Sequence, residues 1–147
     1  MTLALQYRVA TADDVSVLSR LNQQLIEDER HRNPMNLTEL EKRMRSMLEG
    51  DYTATLFEIG ERVVAYALWA EQPDWVYLRQ FFVARDCRRR GIGARAIRVL
   101  VDEVWPADKW VRVNVLIDNH PAREFWQAVG FADYLITLEM ERSGRSP

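Results

Sequence analysis

The stretch from Trp75 to Ile117 constrains the fold more than any other part of the chain. It begins with an apolar, strand-like run (75–84) and ends with a strictly alternating one (110–117). Between the two runs lies an amphipathic helix pattern, whose apolar stripe consists of Ile97, Leu100, Val101 and Val104. A helix that joins neighbouring strands of one sheet makes those strands parallel. The sequence therefore predicts a parallel strand–helix–strand crossover.

The segments before this crossover predict antiparallel neighbours. Two tight turns, at 60–61 and 72–74, separate three strand-like runs, and connections this short join antiparallel strands. The runs cover 53–59, 62–70 and 75–84. Ahead of them we expect a strand over 5–10, a helix from about 12 to 30 that is capped by Thr11 with Asp14, and a helix from Thr38 to Gly50.

After the crossover, a short helix ends at Gly130 and a last strand follows over 133–141. The predicted fold class is α/β (α+β), a single domain. Its sheet is mixed and mostly antiparallel, with one parallel crossover and helices on both faces. We expect the domain to cover 1–142 and 143–147 to form a flexible tail.

Composition excludes several classes of function. The chain has 147 residues, 48% of them hydrophobic, which is enough for a core, and its net charge of -2 argues against general binding of nucleic acid. A single cysteine, Cys87, excludes an intramolecular disulfide, and with only two histidines the common zinc patterns cannot form, so we expect no metal. No signal peptide or membrane span is recognisable. We expect a soluble cytoplasmic protein without membrane or nucleic-acid partners.

An arginine–glycine turn leads into the crossover helix and predicts an anion site. Arg88, Arg89 and Arg90 run directly into Gly91 and Gly93. The start of a helix has unpaired N–H groups and a partial positive charge, and glycine lets a ligand approach the backbone closely. Arginines add charge-assisted donors that suit phosphate oxygens. The ligand expected here is a phosphate or a pyrophosphate.

The residues of this turn are compatible with two other interpretations. Gly91-x-Gly93-x-x-Ala96 formally matches a dinucleotide-binding fingerprint, with Asp118 at roughly the distance of a ribose-binding acid. However, six residues (85–90) separate the strand from the first glycine, and the preceding strands form a meander. The other interpretation is a solvated basic turn without a ligand.

The turn resembles the Arg/Gln-x-x-Gly-x-Gly/Ala loop of the GNAT superfamily of acetyl-CoA-dependent N-acetyltransferases. A second segment, "LIDNHPAREFWQAVGF" (116–131), is similar to the family's other signature, with Asn119 followed by a short helix that ends in Gly130-Phe131. The order of the elements matches the family nearly end to end. The resemblance implies direct transfer of an acetyl group from acetyl-CoA, the co-substrate, to a primary amine, in a ternary complex without a covalent intermediate.

The resemblance also implies which residues bind the cofactor. The loop and its helix would hold the pyrophosphate, and the strand before the loop would pair with the pantetheine arm and give a backbone N–H to the oxyanion near Phe82 or Val83. The residues implied are Phe82, Val83, Arg88, Arg89, Arg90, Gly91, Ile92, Gly93, Ala94, Asn119 and Trp126.

The proton-transfer groups depart from the family's pattern. The tyrosine that often protonates the leaving thiolate is replaced by Trp126, whose position on an apolar helix face also suits core packing. Three explanations stay open: Tyr134 or Tyr77 substitutes, the thiolate leaves unaided, or the protein is a non-catalytic acyl-CoA-binding or regulatory module. On the fourth strand, where the family often places a carboxylate, the candidates are Tyr77 and Gln80, with Arg79 between them.

The acceptor site would lie at the end of the first helix. Glu27 and Asp28 would suit a cationic amine, the arginines at 30 and 32 an acidic one, and His31 has the intrinsic pKa of a base. Because family members acetylate aminoglycosides, polyamines, amino acids, protein N-termini and lysines, the partner is a small-molecule or peptide amine. Apolar strand surface near the C-terminus is compatible with a homodimer.

Overall fold

The computed structural model describes residues 4–29 and 32–143. Its strands are β1 (Leu5–Val9), β2 (Thr53–Ile59), β3 (Arg62–Glu71), β4 (Trp75–Val83) and β5 (Trp110–Val113). Its helices are α1 (Val15–Glu29), α2 (Leu37–Glu49), α3 (Ile92–Val99) and α4 (His120–Ala128). Short 3-10 turns precede α1 (Ala12–Asp14) and follow β4 (Arg85–Cys87), and a π turn (Leu100–Val104) extends α3.

The five strands form one open sheet in the order β1-β2-β3-β4-β5. Neighbours from β1 to β4 are antiparallel, whereas β4 and β5 are parallel. The crossover through α3 is therefore where the sequence predicts it, and the predicted mixed α/β fold class is confirmed.

Helices cover both faces of the sheet. On one face, α1 and α2 pack over Tyr66 of β3, which is fully buried. On the other face, α3 contacts β3 and β4, and Trp105 at the end of the π turn meets Trp69 edge to face, with ring centroids 6.3 Å apart. The buried core includes Leu18, Leu40, Met44, Leu56, Phe57, Leu78, Ala96 and Leu100.

The helix starts follow side-chain capping. Thr11 and Asp14 form the predicted capping box, and Asp14 also accepts two hydrogen bonds of 2.9 Å from the Arg8 guanidinium. The predicted start of α2 at Thr38 is wrong, because Asn36 is the cap: its Oδ1 accepts from Glu39 N, and the Glu39 carboxylate accepts from Asn36 N.

The chain divides into two compact units, the first running to Leu116 and the second beginning at Ile117. In the second unit, Asn119 caps α4 and Gly130 follows it with φ +111°. The predicted strand over 133–141 is wrong: residues 131–142 have no regular secondary structure, and apolar side chains such as Ile136 and Leu138 are exposed. Alternation gives a strand tendency, but a strand forms only with a hydrogen-bonded neighbour. For the same reason β5 ends at Val113 rather than at 117. The boundaries 1–142 stay a prediction.

Candidate active site

The turn between β4 and α3 (residues 88–94), the predicted anion loop, leaves backbone N–H groups unpaired at the start of a helix. Arg89 (φ +66°) and Gly91 (φ +72°) both adopt the left-handed conformation, and Gly91 caps α3. The first helical hydrogen bond runs from Arg95 N to Gly91 O (3.1 Å). The N–H groups of Ile92, Gly93 and Ala94 therefore have no acceptor within the helix, and they lie at its positive end.

Glycine is required at position 91 because of the backbone conformation there, and not because a side chain would collide with a neighbour. A Cβ built on Gly91 would meet nothing within 4 Å, whereas φ +72° disfavours every residue with a side chain. The same open space leaves the backbone accessible to a ligand. The loop thus combines exposed donors with room for a phosphate group.

The three predicted arginines have different surroundings. Arg88 is held in place: its Nη2 contacts Asp28 Oδ2 at 2.6 Å, its Nε donates to Val83 O at 3.1 Å, and its guanidinium lies 4.8 Å from the centre of the Phe82 ring. Arg89 and Arg90 are exposed and form no ion pair with any residue the structure describes. Their charge is therefore available to a bound anion.

Glu27 and Asp28, predicted to bind the acceptor, contact arginines of the loop region instead. Arg85 reaches Glu27 Oε1 at 3.0 Å and Asp28 Oδ1 at 2.9 Å, and Arg88 holds the other oxygen of Asp28. Partial burial would raise the pKa of Asp28, but hydrogen bonds from Arg88 and Arg85 outweigh it and lower that pKa. These ion pairs connect the end of α1 to the loop. His31 lies outside the described residues.

One edge of β4 has no strand beside it near the loop. β5 pairs with β4 only from Trp75 to Leu78, so along the rest of β4 that edge has no partner strand in the described chain. Ala84 N donates to Val64 O of β3, and peptide groups alternate along an antiparallel ladder. The N–H and C=O of Val83 therefore point away from β3, whereas those of Phe82 point toward it. Of the two predicted oxyanion donors, only Val83 has its N–H on the open edge.

A β-bulge changes which β4 side chains share a face. Gln80 pairs with Leu68 and Leu78 pairs with Trp69, so Arg79 is an extra residue in β4. Because Leu68 and Trp69 point to opposite faces, Gln80 and Leu78 do too. Tyr77, paired with Ala70, comes to lie on the same face as Gln80. The bulge therefore places both predicted proton-transfer candidates of β4 on the face that α1 and α2 cover.

The contacts of these two candidates differ. Gln80 is nearly buried, and its Oε1 accepts a hydrogen bond of 2.9 Å from the Tyr66 hydroxyl. The Tyr77 hydroxyl accepts from Asn114 Nδ2 at 3.3 Å. Burial raises the pKa of Tyr66, so its hydroxyl keeps its proton and orients the Gln80 amide.

Sequence reasoning missed a polar cluster around Tyr66. Asn22 of α1 is buried beside the Tyr66 side chain, and Arg43 Nη2 of α2 donates to Asn22 Oδ1 at 3.0 Å. The available signal was Tyr66, whose polar atom lies inside the apolar strand "VVAYALWA". Buried polar groups usually have partners, so this tyrosine predicts polar neighbours from other elements.

The second unit holds the remaining predicted residues. Asn119 Oδ1 accepts from Ala122 N at 3.3 Å and so caps α4. Trp126 is buried, with its ring centre 4.9 Å from that of Phe125 and 5.1 Å from that of Phe131, both edge to face. Tyr134 is exposed. Trp126 thus has the surroundings of a packing residue.

Other features of the described chain add no chemistry to the site. Burial raises the pKa of the Cys87 thiol, which makes it a poor nucleophile. No three His, Cys, Asp or Glu side chains lie close enough to bind a metal within the described ranges. A groove of about 240 Å³ beside α2, lined partly by Ala10, Arg45 and Glu49, contains none of the predicted site residues. None of the described helices has the length and apolar character that a membrane span requires.

The comparisons with known proteins agree with this geometry. Residues 18–131 match the family model described as "Acetyltransferase (GNAT) family". The matched region is most of the chain, and it contains the loop, the bulged strand and α4. The chain belongs to the GNAT acetyltransferase family. No curated protein matches its sequence.

Solved structures with the same fold have low sequence identity. An aminoglycoside N-acetyltransferase, AAC(6')-Iy in complex with CoA, superposes with a TM-score of 0.77 at 13% identity, covering 97% of each chain. A ribosomal-protein-alanine N-acetyltransferase from Brucella melitensis gives 0.74 at 14% identity, covering 95% of this chain and 100% of that one. A protein from Clostridium acetobutylicum described as a predicted acetyltransferase, solved with acetyl-CoA, gives a TM-score of 0.72 at 18% identity, covering 94% of this chain and 96% of that one. At such identities the likeness shows the fold.

Proposed function

We propose that this protein is an N-acetyltransferase that moves an acetyl group from acetyl-CoA to a primary amine by direct attack. The reaction forms a bond from the acceptor nitrogen to the acetyl carbon and breaks the bond from that carbon to sulfur. The amine loses a proton and the departing thiolate gains one. Acetyl-CoA supplies the activated acetyl group, and the protein binds it and orients the amine.

The loop from Arg88 to Ala94 carries this proposal. Two left-handed residues, three N–H groups without helical acceptors and two arginines without ion pairs among the described residues form a site for an anion. Coenzyme A carries a pyrophosphate, which matches those donors in charge and in number of acceptors. The donor set therefore fits this co-substrate.

The open edge of β4 supports the proposal that this strand binds the extended arm of acetyl-CoA and stabilises the oxyanion. An extended ligand arm with amide groups can pair with a strand edge much as another strand does. Val83 N–H points to this edge and would donate to the oxyanion that develops on the acetyl carbonyl. Arg88 Nε already contacts Val83 O, which joins the pyrophosphate loop to this position.

Proton transfer in this proposal relies little on side-chain acids. The chain has Trp126 where the family often has tyrosine, and indole cannot protonate a thiolate. A thiol with a pKa of about 8.5 leaves without assistance. On β4, Tyr77 and Gln80 orient the amine and its water, and Tyr134 is the remaining candidate acid of the second unit.

Calorimetric titration with acetyl-CoA tests the proposal. We expect binding by the wild type and at least tenfold weaker binding by the double variant Arg89→Ala/Arg90→Ala, because each charge-assisted phosphate contact contributes about 1.5–3 kcal/mol. Arg20→Ala is the matched control, since Arg20 is exposed on α1, outside the loop. Absence of wild-type binding would refute the proposal.

Two observations favour a second candidate, a non-catalytic acyl-CoA-binding module. Trp126 is buried between Phe125 and Phe131, and β4, where the family often has a catalytic carboxylate, offers Gln80, whose amide is not basic. This candidate predicts binding of acetyl-CoA without release of its thiol over a broad panel of amines. Thiol release measured with a chromogenic disulfide separates the two.

A further inference from the structure

The polar cluster under α1 and α2 contains an arginine that has no counter-charge among the residues the structure describes. Arg43 is half-buried, and its guanidinium makes one hydrogen bond, from Nη2 to Asn22 Oδ1 at 3.0 Å. Its Nε is buried and has no hydrogen-bond partner. Within residues 4–29 and 32–143, no carboxylate lies at ion-pair distance from Arg43. Burying a cation without a counter-charge is unfavourable, so the arrangement calls for an anion that the described chain does not supply.

A second arginine increases the positive charge. Arg79, the extra residue of the β4 bulge, is exposed, and it donates from Nη1 to the Tyr52 hydroxyl at 3.2 Å, with its guanidinium 5.4 Å from the centre of the Tyr52 ring. Burial lowers the pKa of Arg43, and the nearby charge of Arg79 lowers it further. Arg79 has no ion pair with any described residue either. Two neighbouring guanidinium groups thus share a region in which no described carboxylate pairs with either of them. Glu29, at the end of α1, lies near enough to act on the Tyr66 hydroxyl, but it forms no ion pair with Arg43 or Arg79.

This region adjoins the position at which the acetyl group would be held. Tyr66 and Gln80 are buried beneath it on the sheet, and Gln80 lies three residues before Val83 on β4, which is about 10 Å along a strand. An amine that extends from the arginines toward Val83 would pass Gln80. The acids that would attract a cationic acceptor, Glu27 and Asp28, are instead paired with Arg85 and Arg88.

We propose that Arg43 and Arg79 form a subsite that binds the carboxylate of the acetyl acceptor, so that the substrate is an amine that also carries a carboxyl group. This inference rests on the proposed transferase function and names the substrate class of the same site. The planar guanidinium presents paired donors that match the two oxygens of a carboxylate. Asn22 orients Arg43, and the buried Tyr66 hydroxyl fixes the Gln80 amide beside the acceptor.

Matched acceptors test the charge requirement. Glycine, β-alanine, γ-aminobutyrate and the common amino acids are compared with their carboxamides, and O-phosphoethanolamine tests a phosphate in place of the carboxylate; thiol release is the readout. We expect at least one carboxylate acceptor to exceed its amide in kcat/KM by about tenfold or more, as expected for hydrogen bonds to a charged group. Equal use of acids and amides, or preference for the phosphate, would overturn the inference.

Variants separate a substrate contact from a structural role. Arg43→Gln should raise KM for the best carboxylate acceptor about tenfold or more and leave KM for its amide and the affinity for acetyl-CoA unchanged. Arg43→Lys should restore part of the difference, because it keeps the charge but loses the paired donors. Arg45→Gln is the control, since Arg45 is exposed on the same helix. Equal loss with both acceptors would assign Arg43 to the packing of α1 against α2.

A binding measurement tests the subsite without any transfer. The corresponding N-acetyl amino acids, which are the expected products, are titrated into the protein while its melting temperature is followed. We expect stabilisation of the wild type and of Arg45→Gln, and none of Arg43→Gln. If acetyl-CoA fails to bind but this stabilisation is present, the proposed function fails and the anion subsite stands. If acetyl-CoA binds and no N-acetyl amino acid stabilises the wild type, the subsite inference fails alone.

Discussion

At the scale of single residues, a substitution of Gly91 should affect both the stability of the fold and the binding of acetyl-CoA. The left-handed backbone of Gly91 is required by the loop, and the space beside it is open. Replacement by alanine should reduce the free energy of unfolding by about 1 kcal/mol and weaken acetyl-CoA binding, because relaxation of φ turns the N–H groups of the loop away from the ligand. Calorimetry and urea unfolding on the same preparation measure the two effects.

Gly60 provides the control for this substitution. It lies in the hairpin turn between β2 and β3 with φ +63° and with nothing within 4 Å of a built Cβ. Gly60→Ala should lose about the same stability, about 1 kcal/mol, with no change in acetyl-CoA affinity. Equal weakening of binding in both variants would mean that Gly91 has no special role in the loop.

The charge of Asp14 should contribute to the free energy of unfolding in a way that depends on pH. Hydrogen bonds from Arg8 lower the pKa of Asp14 below the usual 3.8, and burial opposes them only partly. A carboxylate with a lowered folded-state pKa stabilises the fold fully above the unfolded pKa and loses that effect as pH falls through the folded value. Asp14→Asn should therefore lose about 1–2 kcal/mol at pH 7 and progressively less below pH 4.

Urea unfolding of this variant at pH 7 and pH 3 measures the difference. Asp13→Asn is the neighbouring control, because the Asp13 side chain is exposed. A deficit that stays constant down to pH 3 would show that Asp14 acts through its shape as a cap rather than through its charge.

At the scale of secondary-structure elements, ion pairs join the end of α1 to the anion loop. Asp28 takes up part of the positive charge that a pyrophosphate would otherwise meet. Asp28→Asn should therefore tighten acetyl-CoA binding by about two- to fivefold at low salt, and by less at high salt, because these groups are partly exposed and screened. The free energy of unfolding should change by less than about 1 kcal/mol.

Titration with acetyl-CoA at two salt concentrations measures this effect. Glu49→Gln, an exposed charge change at the end of α2, is the control. Weaker binding by Asp28→Asn would contradict the prediction and show that Asp28 holds Arg88 in the orientation that the ligand needs.

The elements also show which features sequence could predict. Strand bounds at 53–59 agree with the structure because an alternating or fully apolar run between tight turns determines them locally. The strand over 133–141 and the end of β5 depended on partners elsewhere in the sheet, which periodicity does not specify. The loop from Arg88 to Gly91 was predictable because its glycines and arginines are consecutive.

The missed side chains show the opposite case. Asn22, Arg43 and Tyr66 lie on three different elements and meet only after the helices pack on the sheet. The single-residue bulge at Arg79, which brings Tyr77 to the face of Gln80, leaves no mark in the hydrophobic pattern. Such a cluster results from register and packing, which a single sequence does not specify.

At the scale of the whole molecule, ligand binding should appear as thermal stability. A ligand that binds only the native state adds about 2.7 kcal/mol at one hundred times its Kd. For a chain of 147 residues this corresponds to a rise in melting temperature of roughly 5–10 °C. Coenzyme A should give this shift, and pantetheine, which lacks the phosphates, should give little. Equal shifts would place the binding energy in the arm rather than in the anion loop.

The edge of β4 that has no partner strand in the described chain also predicts how the lifetime of the protein should depend on its ligand. A strand edge without a neighbour can recruit an extended segment of another polypeptide, which is how ordered aggregates begin. A co-substrate lying along β4 would cover that edge, so the ligand-free form is the one exposed to misassembly and proteolysis. The cellular abundance of this protein would then follow the supply of acetyl-CoA. Purification without coenzyme would lose protein to aggregation and proteolysis, even if the free energy of unfolding of the fold were unchanged.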